Sequence, residues 1–205
     1  MPERKLKLGF YRRPTLLVAR ELIGMVLVDR RSNAKQRAVR IVEVEAYIGE
    51  DDPASHAACG PTSRNRIMYG RPGLAYVYLI YGVYNCLNIV TEKDGFPAAV
   101  LIRAAEPLEG VFENDTKSGR RHRPDGPGKL CLALGIDRSD NGLDLTDNAL
   151  YLADRNLRPG TIATSGRIGI SAATDRLWRF FDPDSPYIST QRKPRPRANR
   201  TTPAN

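Results

Sequence analysis

Arg40-Ile41-Val42-Glu43-Val44-Glu45-Ala46-Tyr47 is the stretch on which the reading of this chain turns. On the two-residue period of a strand, Val42, Val44 and Ala46 point one way and Glu43, Glu45 and Tyr47 the other. One face is apolar enough to bury, while the opposite face carries two carboxylates and a phenol. Such a strand is either one side of a solvated sheet or the floor of a reaction site. A basic loop and then a tyrosine-rich hairpin come next in the chain, and they favour the site.

Working outward, the chain is consistent with an α+β fold. Thr15–Gly24 predicts a helix with Leu16, Ala19, Leu22 and Ile23 on one face, Pro14 near its start and Gly24 at its end. Met25–Asp29 is β-prone, and a polar turn over residues 30–37 joins it to a strand at Val39–Ile48. Gly49–Ser63 is a loop holding Glu50-Asp51-Asp52 and His56. Leu74–Tyr81 and Tyr84–Val90 read as a hairpin through Gly82-Val83, with Gly first as a two-residue type II′ turn requires. Ala98–Ala105 is an apolar strand interrupted by Arg103. Residues 113–128 predict a mobile charged loop, Lys129–Gly135 a short helix, and Arg167–Ile170 a last strand. Leu177–Phe181 is an aromatic cluster. The expected architecture is a single domain over residues 1–191, a curved antiparallel sheet with flanking helices and a protruding β-hairpin, followed by a basic tail at 192–205.

Composition sets the classes that remain. At 205 residues with 41% hydrophobic content the chain has enough material for one core. No run approaches the 18 or so consecutive apolar residues of a membrane span, and no apolar segment follows the charged start as in a secretory signal. Cys59, Cys86 and Cys131 are odd in number and widely spaced, which suits free thiols in a reducing cytosol; the expected location is cytoplasmic, and nucleoid-associated if the source is bacterial. The net charge of +9 is compatible with a polyanionic partner. It is equally compatible with simple solubility.

The candidate chemistry concentrates around Glu45. A lone strand glutamate is usually structural, but Glu45 has Tyr47 on its own face and Arg103 within reach on a neighbouring strand, so it is the candidate general base. Arg103, set among apolar residues, needs a carboxylate partner and can also orient a water. Tyr81, beside Gly82 at a hairpin tip, has the form of an aromatic wedge for stacked bases. Tyr47, His56 and Tyr78 are candidates for the walls of a slot that stacks one extruded base, with Asn88 at its edge or holding a local backbone group. Tyr76 and Tyr84 read as core. Arg64, Arg66, Arg71 and Lys129 are candidate phosphate contacts, and Gly126–Lys129 at a helix start could present backbone N–H groups to a phosphate. His56 and Cys59 lack further ligands at metal spacing, and no cofactor motif is present. Two other classes stay open at this level: a metal-dependent nuclease using Glu50-Asp51-Asp52, and a non-catalytic nucleic-acid-binding module.

Several ordered blocks carry a resemblance. Ile41–Tyr47, Ser63-Arg64-Asn65-Arg66-Ile67-Met68, Pro72–Gly82, Asn88-Ile89, Leu101–Pro107 and Gly128-Lys129-Leu130-Cys131 are similar to the alkyladenine (3-methyladenine) DNA glycosylase family, over the region from Phe10 to about Ile170. The resemblance implies that Glu45 activates water and that Arg103 stands near it. It further implies that Tyr47, His56 and Tyr78 stack the flipped base, that Asn88 borders it, and that Tyr81 intercalates. The implied activity is that of a monofunctional, monomeric glycosylase on double-stranded DNA containing damaged purines. It would hydrolyse the N-glycosidic bond of alkylated or deaminated purines (3-methyladenine, 7-methylguanine, hypoxanthine, ethenoadenine) and leave an abasic site.

Overall fold

The structure, a computed structural model, describes residues 3–31, 36–111 and 123–189. Its frame is an open antiparallel sheet of nine strands: β1 (Arg4–Lys5), β2 (Val26–Asp29), β3 (Arg37–Ile48), β4 (Ala75–Ile80), β5 (Tyr84–Val90), β6 (Ala98–Glu109), β7 (Leu150–Asp154), β8 (Ala163–Ser165) and β9 (Arg179–Phe181). Seven run in the order β1-β7-β2-β3-β6-β5-β4, and β9 joins the sheet alongside β3 with β8 beyond it. The first part of β3 therefore pairs with β2 and its later part, Glu43–Glu45, with β9. The helices are α1 (Leu8–Tyr11), α2 (Thr15–Leu22) and α3 (Pro127–Leu134). Among the described residues no helix is long and apolar enough to cross a membrane.

One sheet face builds the core. Val44 and Ala46 of β3, Val100 and Ile102 of β6, Leu87 and Ile89 of β5, and Ala75 and Val77 of β4 join Val18, Leu22, Leu130 and Leu134 from the helices in a single buried cluster. The opposite face of the same strands is the cavity side. Antiparallel register places Glu45 opposite Leu101, Tyr47 opposite Ala99, Tyr76 opposite Asn88 and Tyr78 opposite Cys86. The predicted alternation of Glu43, Glu45 and Tyr47 against Val44 and Ala46 thus holds.

It breaks just before Glu43. Ile41 pairs with Ala105 and Glu43 with Ala104, so Val42 is an extra residue in β3. As a result Ile41, rather than Val42, continues the face of Val44 and Ala46 into the main core. The next step compensates: Glu43 pairs with Ala104 and Val44 with Ile102, leaving Arg103 as the extra residue of β6. Bulges re-aim side chains and sharpen local twist. Here the second one sits at the arginine that meets both carboxylates.

Other expectations are corrected by longer-range contacts. Helix α2 buries Thr15, Val18, Ala19 and Leu22, while Leu16, expected in the buried stripe, is 37% exposed and Thr15, one position earlier, is buried in its place. The start of the helix is held from outside its own sequence, because Glu92 accepts from both the Thr15 N–H at 2.6 Å and its hydroxyl at 2.9 Å. The hairpin connection is three residues, Tyr81–Val83, closed by the Val83 N–H donating to the Ile80 carbonyl. Tyr81 (φ 54°) and Gly82 (φ 71°) both have positive φ, as the two central residues of a type I′ turn must, in place of the type II′ expectation. The supposed strand Arg167–Ile170 is a loop, and the last strands are β8 and β9. The expected mobile loop ends earlier than Gly128: the Ala105 N–H donates to the Pro124 carbonyl, and α3 has begun by Pro127. Residues 112–122 and the tail expected at 192–205 lie outside the described residues.

Candidate active site

The cavity side of the sheet opens into a cleft of about 600 Å³. Its floor comes from β3, β6 and β5 through Tyr47, Leu101, Arg103 and Asn88, one wall from β4 through Tyr76 and Tyr78, and another from residues 126–129 at the start of α3. Helix α3 reaches the mouth because residue 128 is glycine. A Cβ there would stand 2.9 Å from the Cβ of Tyr84. Tyr81 and Tyr84 border the opening, 84% and 44% exposed. The expectation that Tyr84 belongs to the core is therefore corrected: as the first residue of β5 it has no sheet layer above it. Tyr76, at 1% exposure, is buried as expected.

Behind the floor lies a layer of paired charges that contains both carboxylates of the central β3 stretch, each 0% exposed. Glu43 accepts from Arg103 Nε and Arg179 Nε at 2.8 Å, from the Ser189 hydroxyl at 2.6 Å and from the Ser189 N–H at 2.5 Å. Glu45 accepts from the Tyr47 hydroxyl at 2.9 Å, from Arg103 Nη1 at 3.1 Å and from the Ile168 N–H at 2.6 Å. An ionised carboxylate has about four acceptor sites. Among the described residues four donors meet Glu43, three at Oε1 and one at Oε2, and three meet Glu45, two at Oε2 and one at Oε1. Oε1 of Glu45 thus keeps an acceptor position, and the partners of Glu45, Tyr47, Arg103 and Ile168, all line the cavity, whereas Arg179 on Glu43 does not.

Burial and charge set the protonation of this wall. Burial would lower the pKa of Arg103, but Glu45 and Glu43 raise it above its ordinary value. Burial, reinforced by Glu45, raises the Tyr47 phenol, and burial with Cys86 raises Tyr78. Burial takes Tyr76 to about 12 and the Cys86 thiol to about 11. All four are neutral at physiological pH. His56 is pushed below its ordinary value by desolvation and by the charge of Arg64, so its ring is neutral as well. Its Nδ1 bonds the Tyr76 hydroxyl at 2.8 Å, and the ring meets Tyr78 edge-on at a centroid distance of 4.5 Å. Asn88 donates Nδ2 to the Tyr76 carbonyl at 3.1 Å, the local backbone role anticipated for it, while lining the cavity.

The candidate phosphate contacts separate into groups. Arg64 is exposed, with its guanidinium 5.2 Å from the Tyr78 ring centre, and Arg66 is exposed at the start of the 3-10 turn Arg66–Tyr69. Lys129 lines the cavity and bonds Asp125 at 2.6 Å. Arg71 does not line the cavity and is ion-paired with Asp144. The acidic triplet also comes apart. Glu50 accepts from the Tyr69 hydroxyl at 2.7 Å, Asp51 is exposed, and Asp52 is buried against Arg167. Among the described residues no three His, Cys, Asp or Glu side chains converge as metal ligands would.

Arg167, Ile168, Arg179 and Ser189 serve this site without having been singled out as site residues in the sequence, and Asp52 figures there only as part of an acidic triplet. Arg179 and Ser189 reach Glu43 across 136 and 146 residues. The Ile168 N–H reaches Glu45 across 123. No local pattern encodes such contacts, although the buried demand of Glu43 and Glu45 for donors required that some exist.

Comparison with known proteins identifies the family. The family profile described as Methylpurine-DNA glycosylase matches residues 9–186. A protein of Methanocella arvoryzae is 53% identical over 187 residues, covering 88% of this chain and 93% of its own length. One from Alkaliphilus oremlandii is 46% identical over 200 residues (90% and 98%), and one from Chlorobaculum tepidum 43% over 199 residues (95% and 95%). All three bear the name "Putative 3-methyladenine DNA glycosylase". The profile spans the whole sheet apart from the short β1 and every residue of the site except Ser189, and with these identities it establishes that the chain belongs to the methylpurine-DNA glycosylase family.

Proposed function

We propose that this chain is a monofunctional DNA glycosylase, acting as a monomer on double-stranded DNA and hydrolysing the N-glycosidic bond of flipped alkylated or deaminated purines. The reading rests above all on Glu45, whose donors all line the cavity, while Glu43 beside it is gripped by two arginines. The names of its relatives point to 3-methyladenine as a substrate, and the neutral aromatic cavity suits 7-methylguanine, hypoxanthine and ethenoadenine too.

In this mechanism Arg64, Arg66, Lys129 and the first N–H groups of α3 hold phosphates without reading sequence. Tyr81 fills the gap in the duplex as the nucleotide turns out, and Tyr47, His56 and Tyr78 enclose the base, with Asn88 at its edge. Glu45 accepts a water through its remaining lone pair and directs it at C1′. Its charge, with the Arg103 guanidinium beside it, also stabilises the oxocarbenium-like state as the bond to the base stretches. A base alkylated at N3 or N7 already carries positive charge and leaves without a general acid. One working carboxylate therefore suffices where sugar hydrolases commonly use two. With water as nucleophile the product is an abasic site and an intact strand.

The test is release of free base from duplexes carrying each of the four lesions, with and without subsequent alkaline cleavage. The expected result is free base in solution and strand breaks only after alkali. Breaks before alkali, or no base from any lesion, would overturn the reading.

A further inference from the structure

The loop 166–172, which brings Ile168 to Glu45, makes no backbone–backbone hydrogen bond among the described residues. Something else must hold it. Arg167, whose side chain is 0% exposed, donates Nη1 and Nη2 to the two oxygens of Asp52 at 2.6 and 2.7 Å. Nη1 also donates to the carbonyl of Ala46, the residue between Glu45 and Tyr47, at 3.0 Å. Its guanidinium lies between two rings, 4.7 Å from the centre of Tyr47 and 5.0 Å from that of Trp178. The next peptide N–H along the chain is the one that bonds Glu45 at 2.6 Å.

From these contacts we infer that Asp52 and Arg167 form a positioning pair for the proposed reaction. The pair fixes the Glu45 carboxylate through the Ile168 N–H and the Tyr47 ring through the stack, so that water and base meet in one geometry. The inference rests on the proposed role of Glu45. A purely structural ion pair would be expected to bury its arginine against the core cluster. This one places its carbonyl contact on Ala46 between the two site residues, one ring contact on Tyr47 and its adjacent N–H on Glu45. A planar, forked guanidinium is needed for all three at once, and a lysine ammonium supplies only the charge.

The experiment is a mutant cycle of Arg167→Lys, Glu45→Gln and the double variant, read by single-turnover base release from a 7-methylguanine duplex and by affinity for an abasic-site duplex. Trp178 is the single tryptophan in the chain, so its fluorescence reports whether the stack persists. Arg167→Lys is expected to slow release about tenfold or more, with abasic-site affinity within about threefold and an altered Trp178 emission. In the Glu45→Gln background the same change is expected to cost about threefold or less. Near-normal release by Arg167→Lys overturns the inference, and so does an undiminished loss in both backgrounds. Near-normal release by Glu45→Gln alone would instead overturn the role of Glu45. Should Arg167→Lys not fold, Asp52→Asn, which removes the charge but keeps the shape, takes its place in the cycle with the same expected outcomes.

Discussion

The middle of β3 and the tip of the β4–β5 hairpin face one cavity, yet they are built on opposite terms. Glu43 and Glu45 are 0% exposed and meet seven donors between them, from β3, β6, β9 and two loops. Tyr81 is 84% exposed, and it occupies a backbone conformation (φ 54°) that bulky residues rarely adopt. The carboxylates are held on several sides, as the water-aiming proposed for Glu45 requires. The tyrosine is held by the turn alone, as suits its proposed insertion into a duplex. Non-glycine residues at positive φ cost energy and persist where context or function retains them. The difference separates the part of the site that depends on the fold from the part on which the fold does not depend.

That separation can be broken most forcefully at Glu43. Glu43→Gln leaves Arg103 and Arg179 facing a neutral amide in a buried layer, and removing one partner of such a network costs about 3 kcal/mol or more. At about 2–4 °C per kcal/mol for a chain of this size, thermal unfolding should drop by roughly 6–12 °C. A melting temperature within a degree of the parent would show that the layer is not structural. Glu45→Gln tests the other carboxylate. Base release is expected to fall by about 10²-fold, equivalent to about 2.7 kcal/mol in the barrier, with lesion-DNA binding retained. If the two substitutions gave interchangeable effects on stability and rate, the distinction between the carboxylate gripped by two arginines and the one held by the cavity wall would collapse.

The hairpin should respond in the reverse sense. Tyr81→Gly relieves the positive φ and removes an exposed ring, so melting should stay within about 2 °C of the parent or rise. Base release at limiting enzyme should nevertheless fall about tenfold, because the duplex loses its wedge. A base-analogue fluorophore at the lesion reports this directly, and unchanged emission would remove Tyr81 from that role.

The smallest and broadest effect concerns acid. Burial would raise the carboxyls of Asp52 and Asp29, but hydrogen bonds and charge from Arg167 and from Arg31 respectively hold both below the ordinary aspartate value. A folded-state pKa below the unfolded one adds stability at pH above the unfolded value, near 3.9, and that stability disappears as pH falls through the folded one. Urea midpoints should therefore be flat from about pH 7 to 5 in this respect and decline below about pH 4. His56, whose pKa is lowered, should add no loss of stability above pH 6.5.

Much of this is legible along the chain because its information is local. The period of two sorts Glu45 and Tyr47 from Val44 and Ala46, and it sorts Tyr76 and Tyr78 from Ala75 and Val77, since alternate residues of any strand face opposite ways. Composition and the Gly82 turn locate the hairpin. The readings that fail are those that need a distant neighbour. Tyr84 reads as core from its own segment, but it adjoins the turn, and the start of α3 that packs against it at Gly128 leaves it 44% exposed. Asp52 reads as a solvated loop acid because its partner Arg167 lies 115 residues away. The bulge at Val42 depends on registration with β6, and the burial of Leu16 on which way α2 rolls against the sheet.

The sequence by itself determined which residue types share the cavity face, and with them the chemical repertoire: a pair of carboxylates, a set of neutral rings and an arginine. It could do so because side-chain direction along a strand follows from backbone geometry alone. Which carboxylate is gripped by two arginines, and which meets only groups of the cavity wall, is a matter of three-dimensional contact. That depends on donors such as Arg179, Ser189 and the Ile168 N–H, which the chain brings back from more than a hundred residues away, and hydrogen-bond capacity is settled by what converges in space.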